Sequence, residues 1–412
     1  MKLLISAYAC RPNMGSEPAV GWNWILELSK YHQLTVLTNF TNQSHIEEFE
    51  RYNGKIPNIH FVYVRPNKKF TFWYKEWQRF ERIYYFMWQK KALRVATELS
   101  RNERFDAVQH LTYVTCIMPT YMYKLNIPFI YGPISGGERI PGVIKLPMTG
   151  KEKLIEVIRQ LTLLIPKISV NTRRAFRHAD KIIVVTNDTK RLIPKKYKSK
   201  IIVCQAISLS DSYFNTLVPQ KHNSKNVKIL IAGRMLAWKG FNLGIDAVIE
   251  ALNKGAHIDL TILGAEDNNF CNYLKSKAGS YLGKQIHFVK RIAYDKMTDF
   301  YDQFDILLNC SLRDSGCLVV MEGMGRGLPV ICVNTGGPAV NTDNTCAIKI
   351  NPAPYKRLVS ELAEAIIFLS ANEDIRYRMS ENAREFAQTH FTSAAKIKNF
   401  LHVYEEVISR DK

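Results

Sequence analysis

Along the chain, short continuous apolar runs alternate with longer stretches whose apolar positions recur three or four residues apart. The first runs are "KLLISAY" at the start, "LTVLTN" at 34–39, "IHFVYV" at 59–64, "FDAVQHL" at 105–111, "PFIYGPI" at 128–134 and "KIIVVTN" at 181–187. A second series begins near Val227: "VKILIAGRM", "IDLTILGA", "IHFVKRI", "FDILLNCSL", "PVICVN" and "AIKINP". Strands apolar on both faces belong to parallel sheets covered by helices on either side. The spacing predicts a helix from Pro18 to Lys30 and three helical segments after Pro354, the last from about Ser393 to Ile408. Two such series predict an α/β chain of two doubly wound domains, with right-handed crossovers and ligands at the carboxyl ends of the strands. The polar, aperiodic stretch 204–226 reads as the linker. The expected division is therefore residues 1–206, residues 207–390 and a terminal helix over 391–412.

Length and composition narrow this picture. A chain of 412 residues exceeds one ordinary core. Its 46% hydrophobic and 23% charged residues are an ordinary globular balance. The longest apolar runs fall short of the roughly 20 residues a membrane span needs. "MKLLISAYACRPN" reads as a first strand, because its apolar run is short and no small-residue cleavage site follows. A cytoplasmic location is expected. The cysteines at 10, 116, 204, 271, 310, 317, 332 and 346 form no C-x-x-C pair, so reduced thiols in core positions are expected and no metal site. The net charge of +20 attracts nucleic acid, anionic lipid or phosphorylated substrates without choosing among them. Neither G-x-G-x-x-G after the first strand nor G-x-x-x-x-G-K-[ST] occurs, which argues against a dinucleotide fingerprint and a P-loop.

The candidate chemistry lies at strand ends of the second series. In "IAGRMLAWKGF", Arg234 follows a strand and Lys239 comes five residues later. A planar fork and a point charge together suit a diphosphate, although an isolated pair of this kind is more often a solvated turn. "SLRDSGCLVVMEGMGRGLPVI" follows the strand "DILLNC" and sets Asp314 eight positions before Glu322. A helix is expected to begin near Gly316 to Leu318, where unpartnered N–H groups make an anion site. Glu322, about a turn and a half inside, has the reach to accept from vicinal hydroxyls such as a ribose presents. Asp314, on the loop, has the same capacity toward a sugar.

The order "GRMLAWKG … DILLNCSLRDSGCLVVMEGMGRGLPVICVNTGGPA" resembles glycosyltransferase family 4, the group 1 glycosyltransferases of GT-B fold, which retain configuration. Residues 227–340 carry the resemblance. "ISAYACRPNMGSEPAVGWNW", "VQHLTYVT" and "YGPISGGE" extend it to landmarks of members that make bacterial surface polysaccharides. The resemblance implies GT-B architecture: two Rossmann-like domains facing across a cleft, acceptor on the first, donor on the second, and a last helix crossing back to the first. It implies that Arg234 and Lys239 neutralise the leaving diphosphate, that Glu322 holds the ribose, and that Asp314 contacts the donor sugar. The backbone of Gly316, Cys317 and Leu318 would face sugar and phosphate. Gly15 and Ser16 would close on the diphosphate, and His110 would lie near the reacting centre. The plainer reading of His110 is a satisfied strand-end histidine. No metal or cofactor is implied beyond the donor, a UDP- or GDP-sugar, and the base would be read near Arg291 and Ile292. The acceptor would be a saccharide or lipid-linked saccharide of polysaccharide or lipopolysaccharide synthesis.

This chain departs from the family pattern. Asp314 replaces the usual Glu, Cys317 a Gly, "EGMG" the usual E-A-M-A, and "GS" at 15–16 a double glycine. Cys317 is the motive for an alternative, a non-catalytic GT-B protein that binds nucleotide sugar or polysaccharide. Residues 65–94 add a second theme: nine basic and two acidic residues among ten aromatics, with Trp73, Trp77, Phe80 and Tyr84 at helical spacing. Such a segment suits an anionic membrane surface on the inner face of the plasma membrane, or a helix packed on the first sheet with a solvated basic face. "NTRRAFRHADK" is a second basic stretch that would extend that face. No nucleic-acid module is visible.

Overall fold

A computed structural model of the chain describes residues 1–66, 81–214 and 225–409. The chain forms two compact units: Met1–Gly137 with Val157–Ser208 and Ser393–Lys412, and Glu138–Glu156 with Leu209–Thr392.

The first unit is built on strands β1 (Lys2–Ala7), β2 (Gln33–Asn39), β3 (Ile59–Val64), β4 (Ala107–Thr112), β5 (Phe129–Ile134), β6 (Lys181–Val184) and β7 (Ile201–Val203). Their order is β3-β2-β1-β4-β5-β6-β7, and the pairings are parallel. In β1 the pleat separates Leu3, Ile5 and Ala7 from Leu4. The first three pack with Trp24, Ile25, Phe400 and Tyr404 of helices Ser16–Leu28 and Ser393–Ser409. Leu4 packs in the cluster of Tyr85 and Trp88 from helix Glu81–Asn102. The terminal helix is locked by a buried relay: Trp24 Nε1 donates to the Tyr404 hydroxyl at 3.0 Å, which donates to Gln109 Oε1 at 2.5 Å. β7 was not predicted because its run of 3 residues is too short to stand out as a strand.

The second unit holds β8 (Val227–Ala232), β9 (Ile258–Ala265), β10 (Ile286–Lys290), β11 (Ile306–Asn309), β12 (Val330–Val333) and β13 (Ala347–Ile350). They are ordered β10-β9-β8-β11-β12-β13, again parallel. Both sheets thus share the doubly wound order, which reverses between β1 and β4 in one and between β8 and β11 in the other. Such reversal points open a crevice beyond the strand ends.

Packing divides the chain differently from a single break at 206/207. Ile140, Ile144 and Leu146 join the core of the second unit, so residues 138–156 belong there although they precede the linker. Nothing local distinguishes which core takes such an aperiodic segment. Helix Ser393–Ser409 belongs to the first unit, where its buried Lys396 donates to the Ile207 carbonyl and to Ser208 Oγ. Among the described residues, no helix is long and apolar enough to cross a membrane. Trp73, Trp77 and Phe80 of the basic aromatic segment lie outside the described residues, and Tyr84 is buried.

Candidate functional site

At the reversal point of the second sheet, two loops are laid together. The loop after β8 carries Arg234 and Lys239; the loop after β11 carries Asp314 and leads into helix Leu318–Gly325. Leu312 N–H donates to the Trp238 carbonyl at 2.9 Å. Gly240 has φ +70°, and a Cβ there would sit 2.1 Å from the Cys310 carbonyl oxygen, so this crossing admits only glycine without rearrangement.

The Lys239 ammonium donates to the Asp314 carboxylate. The other Asp314 oxygen accepts the Cys317 N–H at 3.2 Å, and the Asp314 carbonyl accepts the Gly337 N–H at 2.7 Å. Gly336, with φ +49°, closes this nest from behind: a Cβ there would lie 2.3 Å from the Asp314 carbonyl oxygen. Arg234 is exposed, and no hydrogen bond or ion pair joins its guanidinium to the described residues. Arg313 stacks 4.1 Å over Trp238 and pairs with buried Glu156, bracing the residue before Asp314. The Gly316 carbonyl accepts from Asn341 at 2.8 Å. Leu318 begins the helix, whose first-turn N–H groups lack intrahelical partners.

Cys317 caps that helix with φ 47° and ψ 52°, the left-handed region. That conformation explains why the related pattern places Gly here: a side chain costs about 1–2 kcal/mol in it. The Cys317 thiol is buried and accepts from Asn309 Nδ2 at 3.4 Å. Burial, reinforced by Asp314, pushes its pKa well up, so it stands as a neutral thiol. Glu322 is also buried. Its two oxygens accept from the hydroxyls of Tyr213, at 2.9 Å, and Tyr301, at 2.8 Å. Burial raises its pKa, and the two tyrosine hydrogen bonds oppose that rise. Arg291 and Ile292 follow β10, exposed and partly buried respectively.

In the first unit, Gly15 and Ser16 open helix Ser16–Leu28 and are exposed. Ser16 takes a left-handed φ of 59°. Gly15 is extended, and a Cβ on it would meet nothing within 4 Å. His110, expected near the reacting centre, lies in β4 beside Ser6 of β1. Its ring is fully buried, 5.5 Å edge-on to Tyr131, with Nε2 3.3 Å from the Tyr113 carbonyl. Burial lowers its pKa to about 4, so it is neutral near pH 7 and presents no atom at the surface.

Sequence reasoning missed Glu17, which accepts the Val114 N–H and whose pKa burial raises to about 7. It also missed the Arg313–Glu156 brace and the two tyrosines on Glu322. None had a local signal: each partner is distant in sequence. The structure brings Arg234, Lys239, Asp314, Gly316, Cys317, Leu318 and Glu322 to one reversal point, and Gly15 and Ser16 to the other. Among the described residues, no three metal-ligating side chains cluster.

Residues 215–386 match the family of group 1 glycosyl transferases. An uncharacterized glycosyltransferase of Methanocaldococcus jannaschii is 21% identical over 244 residues, 57% of this chain and 60% of that protein. The chain thus spans about three fifths of the length of that curated relative. Among solved structures, a glycosyltransferase from Rickettsia africae aligns over 99% of this chain and 98% of its own, with a TM-score of 0.61 and 18% identity. HepE of Anabaena, solved with UDP and glucose, aligns over 98% and 100%, with a TM-score of 0.57 and 14% identity. The fold is that of the GT-B glycosyltransferases.

Proposed function

We propose, for a chain whose residues 215–386 carry the group 1 glycosyl transferase domain, that it moves a sugar from a nucleoside diphosphate sugar to a saccharide or lipid-linked saccharide. The observation that carries this reading is the pair of hydrogen-bonded loops after β8 and β11, in which Lys239 meets Asp314 beside the start of helix Leu318–Gly325, with Arg234 exposed on the same loop as Lys239.

As the glycosidic bond of the donor breaks, charge grows on the leaving diphosphate. Arg234, Lys239 and the first-turn N–H groups stabilise that charge in a preorganised array, the kind of contribution that usually dominates catalysis. Lys239 keeps ammonium protons beyond the one given to Asp314. Asp314, braced by Gly337 and Cys317 N–H groups, accepts from donor sugar hydroxyls. Glu322 accepts from the ribose with the lone pairs that Tyr213 and Tyr301 leave. Retention of configuration and independence from metal follow from the family resemblance. UDP is the first base to test, since HepE was solved with UDP. The expected setting is polysaccharide or lipopolysaccharide synthesis at the inner face of the membrane. The contact assigned there to residues 65–94 rests on sequence alone, since 67–80 lie outside the described residues.

The test is thermal melting against UDP, GDP, ADP, CMP and inorganic phosphate, with and without EDTA. One nucleoside diphosphate is expected to raise the midpoint, unaffected by EDTA; saturation at a hundred times Kd corresponds to about 2.7 kcal/mol. A flat response to every compound sinks the donor assignment and favours the non-catalytic reading.

A further inference from the structure

Helix Gly150–Thr162 has two faces of opposite character. Its inner face carries Glu156, buried and paired with Arg313. Its outer face is apolar and open. Leu154, Val157, Ile158 and Leu161 stand at i, i+3, i+4 and i+7, and are 61%, 56%, 53% and 60% exposed. The row continues past the helix to Ile168, 71% exposed. Of the 17 exposed large apolar side chains among the described residues, eight fall between Leu154 and Val170. Scattered exposed apolar residues need no explanation, but a contiguous row marks a surface that something covers.

Charge identifies the cover. Lys151, Lys153, Lys167, Arg173, Arg174 and Arg177 are exposed on and just after this row. The acids of the segment are engaged: Glu156 by Arg313, and Glu152 by the N–H and hydroxyl of Thr149. A second copy docking face to face would bring these cations against their own images, an isologous arrangement that repels. An anionic lipid surface satisfies both features. Apolar side chains enter the boundary of the acyl chains while Lys and Arg meet the headgroups.

We propose that the segment 150–170 docks on an anionic lipid surface. Its residues are not those of the stretch 65–94. It stands without the donor assignment, because a vesicle carries no nucleotide. The helix that meets lipid outside also holds Arg313 inside, so docking bears on the residue next to Asp314.

The experiment is sedimentation of the full chain with vesicles of phosphatidylglycerol in phosphatidylcholine. Binding at low salt is expected, reversed by high salt and at least tenfold weaker on phosphatidylcholine alone. Leu154→Ser combined with Leu161→Ser is expected to weaken binding at least tenfold without moving the melting midpoint, since both side chains are exposed. Lys151→Glu with Lys153→Glu supplies an independent variant that leaves the apolar row intact and is expected to weaken binding likewise. No sedimentation of the wild type, equal binding to neutral vesicles, or undiminished binding by both variants overturns the proposal. So does self-association that the serine variant abolishes in a protein that ignores vesicles, which would give the surface to a second copy.

Discussion

The ends of β1 and β4 and the ends of β8 and β11 occupy the same place in sheets of the same strand order, yet their chemistry is opposite. At the first, Tyr8 lies 5.1 Å from Tyr85 and 5.2 Å from Trp88, and Tyr85 stacks 4.6 Å from Tyr113. The titratable groups beside these rings, His110 and Glu17, are both shifted toward their neutral forms by burial. At the second, Arg234 stands open and Lys239 meets Asp314 on braced loops. The strand order decides where a ligand crevice opens. The side chains delivered there decide what it accepts: the second point suits an anion, while the first disfavours charge. Function therefore has to be argued from each point separately, not from the shared fold.

The largest test of this contrast is Lys239→Ala. It is expected to lower turnover about a hundredfold or more, measured as nucleoside diphosphate release, and to abolish the diphosphate-induced rise in melting midpoint. Near-normal activity would remove the second reversal point from catalysis. Next is Gly336→Ala, where a Cβ meets the Asp314 carbonyl at φ +49°. A loss of about 2 kcal/mol or more is expected in denaturant unfolding. An unchanged midpoint would show that the Asp314 nest is not closed as described.

At the first reversal point the expected effects are smaller and depend on pH. Burial raises the Glu17 pKa from its ordinary 4.5 to about 7. The folded state then binds more protons than the unfolded state in that window, so Glu17 subtracts stability as pH rises through it. Glu17→Gln, which keeps an acceptor for Val114 N–H, should gain stability over the wild type between pH 4.5 and 7, with the difference constant above. His110 acts oppositely: its folded pKa is depressed, so stability is lost as pH falls through the acid side of 6.5. The difference between Gln variant and wild type isolates Glu17, and parallel melting profiles would refute its buried state. The smallest effect belongs to Cys317→Gly. It relieves about 1–2 kcal/mol of left-handed strain and gives up roughly 1 kcal/mol of buried side chain, so its midpoint should move by only a few degrees. A large loss would mean the thiol is a structural partner of Asn309 beyond its packing.

Of the thirteen strands among the described residues, twelve were legible from apolar runs, because strands buried on both faces leave continuous signals that need no partner to be read. The loops bearing Arg234, Lys239 and Asp314, and the helix bearing Glu322, were legible as well, since each follows a recognisable strand. Tertiary structure alone decided the rest. It placed residues 138–156 with the second unit, buried His110 against Tyr131, set Tyr213 and Tyr301 on Glu322, and paired Arg313 with Glu156. It also left one face of helix Gly150–Thr162 open. The physical reason is common to all of these. Periodicity reports which positions avoid water within an element, whereas partners 21 to 157 positions apart are chosen only when the chain closes on itself.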